Sequence, residues 1–557
     1  MFKGFYSKHA FENSTEERLR VMRCKFLLFL AVLLLLFGLA PESAFSSEKR
    51  VLSFAWDRNL GPLNPHLYMP NQMVGQVMVY EPLVQSDENG NIEPWLAESW
   101  SISDDGKIYT FTLRKDVKFS DGSPFNAQIV ARNFDAVMGN AKRHEWMELI
   151  RKIDSWKALD NYTFELRLKI PYVATLENLS LVRPLRFLGA EGFPDDDKTQ
   201  DGIKAPVGTG PWVLKETVMG DYDLFVRNEH YWGPKPAFDE VKIKVIPEPQ
   251  SRVVALETGG IDVILSAGTG AGAITISFEE FERLRGEGDK YTSYLSSPRY
   301  TQGFAVNSNR KPTNELAVRQ AILHAVDTES FSKHLMMGIE PPAYSLFSET
   351  TRYCDVNLPP YKLDREYAAR LLDEADWKLP ENGKTREKKG EKLEIDIHFI
   401  GTHYFHKTAA AAIQGDLQKI GIQVNLMADE ANIFFGMGQS GDFNLAYVET
   451  WGVPSDPLDF LSSVRAPQGV LSHARLGLDV KEKLDGDIGA LMDSHERDVT
   501  QELVKNVLTT IHEQAIFLPV SMSVGIAIHK KDRIEGIRFM PLRNEIDFAS
   551  MKPGKAF

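Results

Sequence analysis

The chain has 557 residues, 43% of them hydrophobic and 25% charged, with a formal net charge of −13. That length exceeds one ordinary core and calls for two or three domains. The acidic balance argues against nucleic acid as a partner, and two cysteines are too few for a disulfide framework.

Residues 1–46 stand apart. The run "KFLLFLAVLLLLFGLA" (25–40) is almost wholly apolar, Arg23 precedes it, and Ala44 and Ser46 place small residues at −3 and −1 of a cleavage point near Ser46. Basic, apolar, then small is the layout of a secretory signal peptide. The apolar run is about 15 residues, short of the ~20 that a membrane span needs. Cys24 precedes the run rather than closing it, which argues against a lipid anchor, and Met22 would open a signal of conventional length. Residues 1–46 carry six Lys or Arg and four Asp or Glu, so the exported chain is two charges more acidic, at −15. It keeps one cysteine, Cys354, and must be held by a large core rather than by disulfides. A bacterial periplasm suits such a protein.

The exported part opens with "GPLNPHLYMPNQM" (61–73), whose three prolines exclude a helix interior or a central strand. Strands follow. "KIYTFTLRKDVKF" puts Tyr109, Phe111 and Leu113 on one face, and "YTFELRL" repeats the alternation with Phe164, Leu166 and Leu168. "KRHEWMEL" spaces Arg143 and Trp146 three apart, as on one helix face. "LVRPLRF" holds Arg183 in an extended stretch before proline. "GTGPW" (208–212) reads as a tight turn into the next strand, since it lacks dinucleotide spacing. "PTNELAVRQAILHAVD" (312–327) reads as a helix capped by Thr313 or Asn314. The charged segment 378–394 reads as an exposed hairpin loop. "LEIDIHFIG", "FHKTAAAAIQGDLQKIG" and "IQVNLM" read as strand, helix and strand, with Gly421 ending the helix. The class is α/β.

Nothing in the chain reads as an enzyme. There is no Gly-x-Ser-x-Gly elbow, phosphate-cradling loop or His-Glu-x-x-His, and Cys354 has no base nearby in sequence. His398, His403 and His406 lie close together but lack two histidines four apart on one helix turn, so they read as a strand end and a helix start. Arg143, Trp146, Arg183 and Trp451 together suggest a pocket with planar walls and guanidinium groups that grip carboxylates.

The 32-residue stretch "LAESWSISDDGKIYTFTLRKDVKFSDGSPFNA" (96–127) resembles the signature of the family 5 extracellular solute-binding proteins of bacterial ABC importers. "GTGPW", "RNEHYWG", "LETGGIDVI" and "NELAVRQAILHAVD" match that family in order. Within it, "GPLNPHLYMPNQM", "RHEWMEL", "GIKAPVGTGPW" and "TWGVPSDP" resemble the nickel-binding branch. The resemblance implies a two-lobed periplasmic-binding-protein fold of type II, with an enlarged first lobe and a ligand cleft between the lobes. It places the first lobe at 47–295 with a C-terminal return at 523–557, and the second at 296–522. It implies a monomeric receptor, not an enzyme, that carries Ni²⁺ in a small organic chelator such as histidine to an ABC permease and its ATPase. The alternative cargo is a dipeptide or oligopeptide.

Residue by residue, the resemblance makes Tyr68, Met73, Arg143, Trp146, Arg183 and Trp451 ligand-binding, with Arg183 on the chelator's carboxylates. The chain departs from the branch at two positions. Ser455 stands where the branch has Tyr, and Gly469 where it has a metal-coordinating His. His473, four residues on, is the candidate metal ligand in its place.

Overall fold

In the computed structural model, residues 49–557 are described except 68–71, 88–89, 267–275, 453–455, 466–468, 541, 543 and 544. The signal-like segment, Tyr68 and Ser455 therefore lie outside the described residues. Among those described, no helix is long and apolar enough to cross a membrane.

Residues 50–557 form one contact unit built on two main sheets. The first has seven strands, in the order Tyr291–Leu295, Ile526–Lys530, Val263–Ser266, Val51–Trp56, Glu240–Val245, Tyr222–Arg227, Trp212–Val218. Val51–Trp56 pairs parallel with strands on both sides, and Leu52 and Phe54 are fully buried. A parallel strand covered on both faces needs such apolar runs. Between Val51–Trp56 and Trp212–Val218 the chain inserts a four-stranded antiparallel sheet. There the anticipated alternation holds: Tyr109, Phe111 and Leu113 of Ile108–Leu113 pack inward, as do Phe164, Leu166 and Leu168 of Thr163–Leu168.

The second sheet has five strands, in the order Gln423–Asp429, Glu394–Ile400, Leu445–Glu449, Thr301–Val306, Phe517–Met522. Glu394–Ile400 and Gln423–Asp429 are parallel, joined through the helix Tyr404–Gln418, and Gly421 turns the chain at φ +82°. Segment 378–394 carries a two-stranded hairpin, Glu387–Lys388 with Glu391–Lys392. The helix Leu316–Ala325 starts later than its sequence suggests. Glu315 stands at its N-cap without a side-chain cap, because Thr313 Oγ1 donates instead to the carbonyls of Asn307 and Arg310.

The chain leaves the first sheet after Leu295 to enter Thr301–Val306, and returns between Met522 and Ile526. The two crossings bond to each other. Ser523 N–H donates to Tyr300 O at 2.8 Å, Arg299 N–H to Ser523 O at 3.0 Å, and Ser296 N–H to Gly525 O at 2.9 Å. Two short hydrogen-bonded segments thus join the sheets.

The glycines of "GTGPW" are required for a reason other than a tight turn. Gly208 and Gly210 lie against the last carbonyls of the helix Met73–Val79, and Gly210 N–H donates to Val79 O at 2.9 Å. A Cβ on Gly208 would fall inside the Val79 carbonyl oxygen. Gly208→Ala is therefore expected to destabilise by about 1–3 kcal/mol through overpacking. Urea unfolding with an unchanged m-value measures the loss, and an unchanged midpoint would contradict the close approach.

Candidate functional site

The site begins on a broken helix. Arg143 and His144 end the short helix Ala141–His144, and Trp146 lies in the turn before Glu148–Lys152. Arg143 and Trp146 do not share one helix face as their spacing suggests. Arg183, joined to Pro184 by a cis peptide bond, sets its guanidinium carbon 4.9 Å from the Trp146 ring centroid. A guanidinium over an indole face is a cation–π contact.

Trp451 arrives from the other sheet. It follows the strand Leu445–Glu449, and the chain there is fixed by Thr450 N–H on Thr301 O at 2.9 Å and by Tyr300 Oη on Gly452 O at 3.1 Å. Its ring meets Trp146 edge to face, with centroids 5.5 Å apart and planes at 71°. Phe460 supports it from behind at 6.3 Å. Trp146, Arg183 and Trp451 are thus in direct sequence of contact, with Arg143 one turn away.

His144 is fully buried between the two arginines. Burial first, and then the charges of Arg143 and Arg183, hold its imidazole down to about 4. It is neutral near pH 7 and adds no positive charge beside the two guanidinium groups. His66 of the opening loop lies beside it. His66 is also held down to about 4, by burial and then by His144. Its Nδ1 is 3.0 Å from Thr199 Oγ1, while Asn64 Nδ2 donates to Thr199 O and Asn64 O accepts from Gln76. The loop is fastened through Asn64 and His66 against the arginine-bearing wall. Met73, buried, opens the helix Met73–Val79 directly after it.

His473 is placed elsewhere. It lies in the short helix Val470–Ala474, not in a loop, and a Cβ on Gly441 would sit 2.5 Å from its Nδ1. Gly441 O accepts from Asn307, just beyond the end of Thr301–Val306 opposite to Thr301. That puts His473 roughly 15–20 Å along the strands from Trp451. His403 Nδ1 and His406 Nε2 approach to 3.3 Å, and His406 stacks on Tyr447 at 3.5 Å, so this pair packs as part of the second lobe. Among the described residues, no group of three His, Cys, Asp or Glu is arranged to hold a metal ion.

Sequence reasoning missed a group beside Trp451. Asp459 packs against Gly452, Asn178 Nδ2 donates to Asp459 Oδ1, and Arg352 lies 3.2 Å from Glu177. The paired carboxylates of "SDPLDF" were a visible signal, but nothing in the sequence near Glu177 links it to them.

A family model described as "Bacterial extracellular solute-binding proteins, family 5 Middle" matches residues 91–471. The nickel-binding periplasmic protein of Escherichia coli (strain K12) is 42% identical over 504 residues, covering 90% of this chain and 95% of that protein. The crystal structure of NikA from Brucella suis in complex with Fe(III)-EDTA aligns with a TM-score of 0.86 at 43% identity, over 90% of this chain and 99% of that one. The oligopeptide-binding protein AppA of Bacillus subtilis (strain 168) is 27% identical over 353 residues, 62% of this chain and 63% of that protein.

The buried histidines fix the sign of one pH effect. With folded values near 4 against 6.5 unfolded, the unfolded chain binds more protons, so their contribution to stability is lost as pH falls from about 7 toward 4. His144→Gln removes one such group. The difference in unfolding free energy between variant and wild type should narrow by roughly 1–3 kcal/mol between pH 7 and pH 4. A pH-independent difference would mean that His144 is not held neutral.

Proposed function

We propose a cargo for this chain from one premise: it belongs to the family 5 bacterial extracellular solute-binding proteins. Such a chain is a binding receptor of an ABC importer and not a catalyst, on a two-lobed type II fold. Its cargo in this reading is Ni²⁺ held in a small carboxylate-bearing chelator such as histidine. It would be delivered from the periplasm to the importer's permease and ATPase.

The observation that carries the reading is the contact chain Arg183, Trp146, Trp451. Two half-buried indoles, one from each lobe, meet beside the Arg183 guanidinium, which suits a carboxylate. Arg143 adds a second positive charge on the same wall. The wall is basic where a bare cation would need acids, so it favours an anionic complex over a free metal ion. Nickel prefers nitrogen and oxygen donors, which a small chelator supplies. In this reading the chelator, not His473, provides them. The E. coli relative supports nickel by its name, and the Brucella relative holds a metal in a polycarboxylate chelator. Met73 lines the cleft in this reading. Lobe closure about residues 296–300 and 523–525 buries the complex.

The second reading is a short peptide. The relation to an oligopeptide-binding protein favours it, and Arg183 would then take the peptide carboxylate.

Calorimetric titration of residues 47–557 separates them. Nickel with excess L-histidine is expected to bind tightly, nickel alone and a dipeptide pool weakly or not at all. Strong heat from nickel alone would restore a protein ligand to the metal, and tight dipeptide binding without metal would replace the cargo. Arg183→Ala should cost roughly 2–5 kcal/mol of affinity for the nickel–histidine complex. A loss below ~0.5 kcal/mol would mean that the pairing is solvent-exposed or absent.

A further inference from the structure

Three carboxylates meet where the lobes touch beside Trp451. Glu177 comes from the helix Thr175–Ser180 of the first lobe, and Asp456 and Asp459 come from the start of Leu458–Arg465 in the second. All three are buried, with 6%, 4% and 3% of their surface exposed. Arg352 of the second lobe, half-exposed, is their one ion-pair partner among the described residues. Asn178 Nδ2 donates to Asp459 Oδ1, and Leu458 N–H donates to Asp456 Oδ1. Asp459 Oδ2 has no hydrogen-bond partner among the described residues. Tyr172 Oη, also buried beside the group, has none either.

The neighbouring charges do not neutralise the group. Glu148 is a further acid near Tyr172, and Lys152 is taken up by Glu148 and by Asp493 of the second lobe. Cys354, facing Asp456, is a neutral thiol whose burial raises its value further. Three carboxylates against one guanidinium leave two negative charges away from water, which low dielectric makes costly. A metal ion would relieve this, but no three acids or imidazoles here are arranged to hold one. Protons are the remaining counter-charge.

We propose that closing the cleft takes up protons on the carboxylate group of Glu177, Asp456 and Asp459, so that closure strengthens as pH falls. The proposal rests on the receptor reading for its hinge motion, not for the identity of the cargo. Burial first, then the mutual repulsion of the acids, raises Glu177 well above the carboxylate range and brings Asp459 up to about 7, and burial raises Asp456. Open, the same groups meet water at their ordinary value near 4. Closure therefore binds protons between about 4 and 7, and that gain disappears as pH rises through 7. His403, which faces Asp57 and Arg58 of the first lobe, acts in the opposite direction below 6.5 because burial keeps it neutral. At pH 6.5 an open-state His403 is still half protonated and opposes the acids about twofold, so every protein measured carries His403→Gln, and the window from pH 6.5 to 8 then isolates the acids.

Met219, 82% exposed in the first lobe, and Ile433, 58% exposed in the second, are label sites as Met219→Cys and Ile433→Cys, because buried Cys354 resists labelling. Single-molecule energy transfer on the ligand-free mature chain then reads the closed-to-open ratio. One proton held at about 7 alone gives a fall of about fourfold between pH 6.5 and 8. Asp459→Asn with Glu177→Gln, or Asp459→Asn alone if the pair fails to fold, should flatten the slope. A ratio fixed at the open extreme, an unchanged ratio, or the same slope in the variants overturns the proposal. So does closure restored at pH 8 by magnesium or calcium, which would make the counter-charge a cation. None of these readouts uses a cargo, so a wrong cargo leaves them intact.

Discussion

The meeting of Trp146 and Trp451 edge to face is the contact on which the rest of the site depends. One ring comes from a helical turn in the segment inserted after Val51–Trp56 and the other from the end of a strand of the second sheet, and each is placed by its backbone. Trp146 stands in a break between two short helices, and Trp451 follows a strand whose end is fixed by Thr301 and Tyr300. Aromatic pairs in this geometry are worth only about 0.5–1.5 kcal/mol beyond their burial. That modest strength suits a cleft that must open again.

Charge is divided about the two rings. On one side, Arg143 and Arg183 lie beside an imidazole held neutral, so that wall gains no third positive charge from His144. On the other side, Asp459 packs against Gly452, next to Trp451, and joins the buried carboxylates. In the proposed reading, a cargo carrying carboxylates is drawn to the arginine side. In the proposed reading, closing the hinge and recognising the cargo are one event, because Trp146 and Trp451 reach the cleft from opposite sides. The two crossings, bonded to each other at Ser523–Tyr300 and Ser296–Gly525, keep that motion to a rotation about one line.

Much of this was legible in the sequence, for identifiable reasons. Period-two alternation found the inserted sheet because Phe111 and Phe164 pack on one dry face. The strand–helix–strand unit around Gly421 was legible because a positive φ after a helix calls for glycine. Arg183, Trp146 and Trp451 were singled out by residue type. What failed was local geometry that depends on distant chain. Arg143 and Trp146 are three apart yet not on one helix, and His473 is helical and packs on Gly441. The bend at "GTGPW" does lead into the strand Trp212–Val218, but the close approach of Gly208 to the Val79 carbonyl was not legible. The acidic group was invisible because Glu177 and Asp459 lie far apart in sequence, and only the fold brings them together.

Native mass spectrometry of the mature chain, incubated with equal amounts of Ni²⁺, L-histidine and a mixed dipeptide pool, tests the central claim most directly. The account predicts one adduct whose added mass is nickel plus histidine, lost when Arg183 is replaced by alanine. A dipeptide adduct without metal, or nickel bound without histidine, would contradict it.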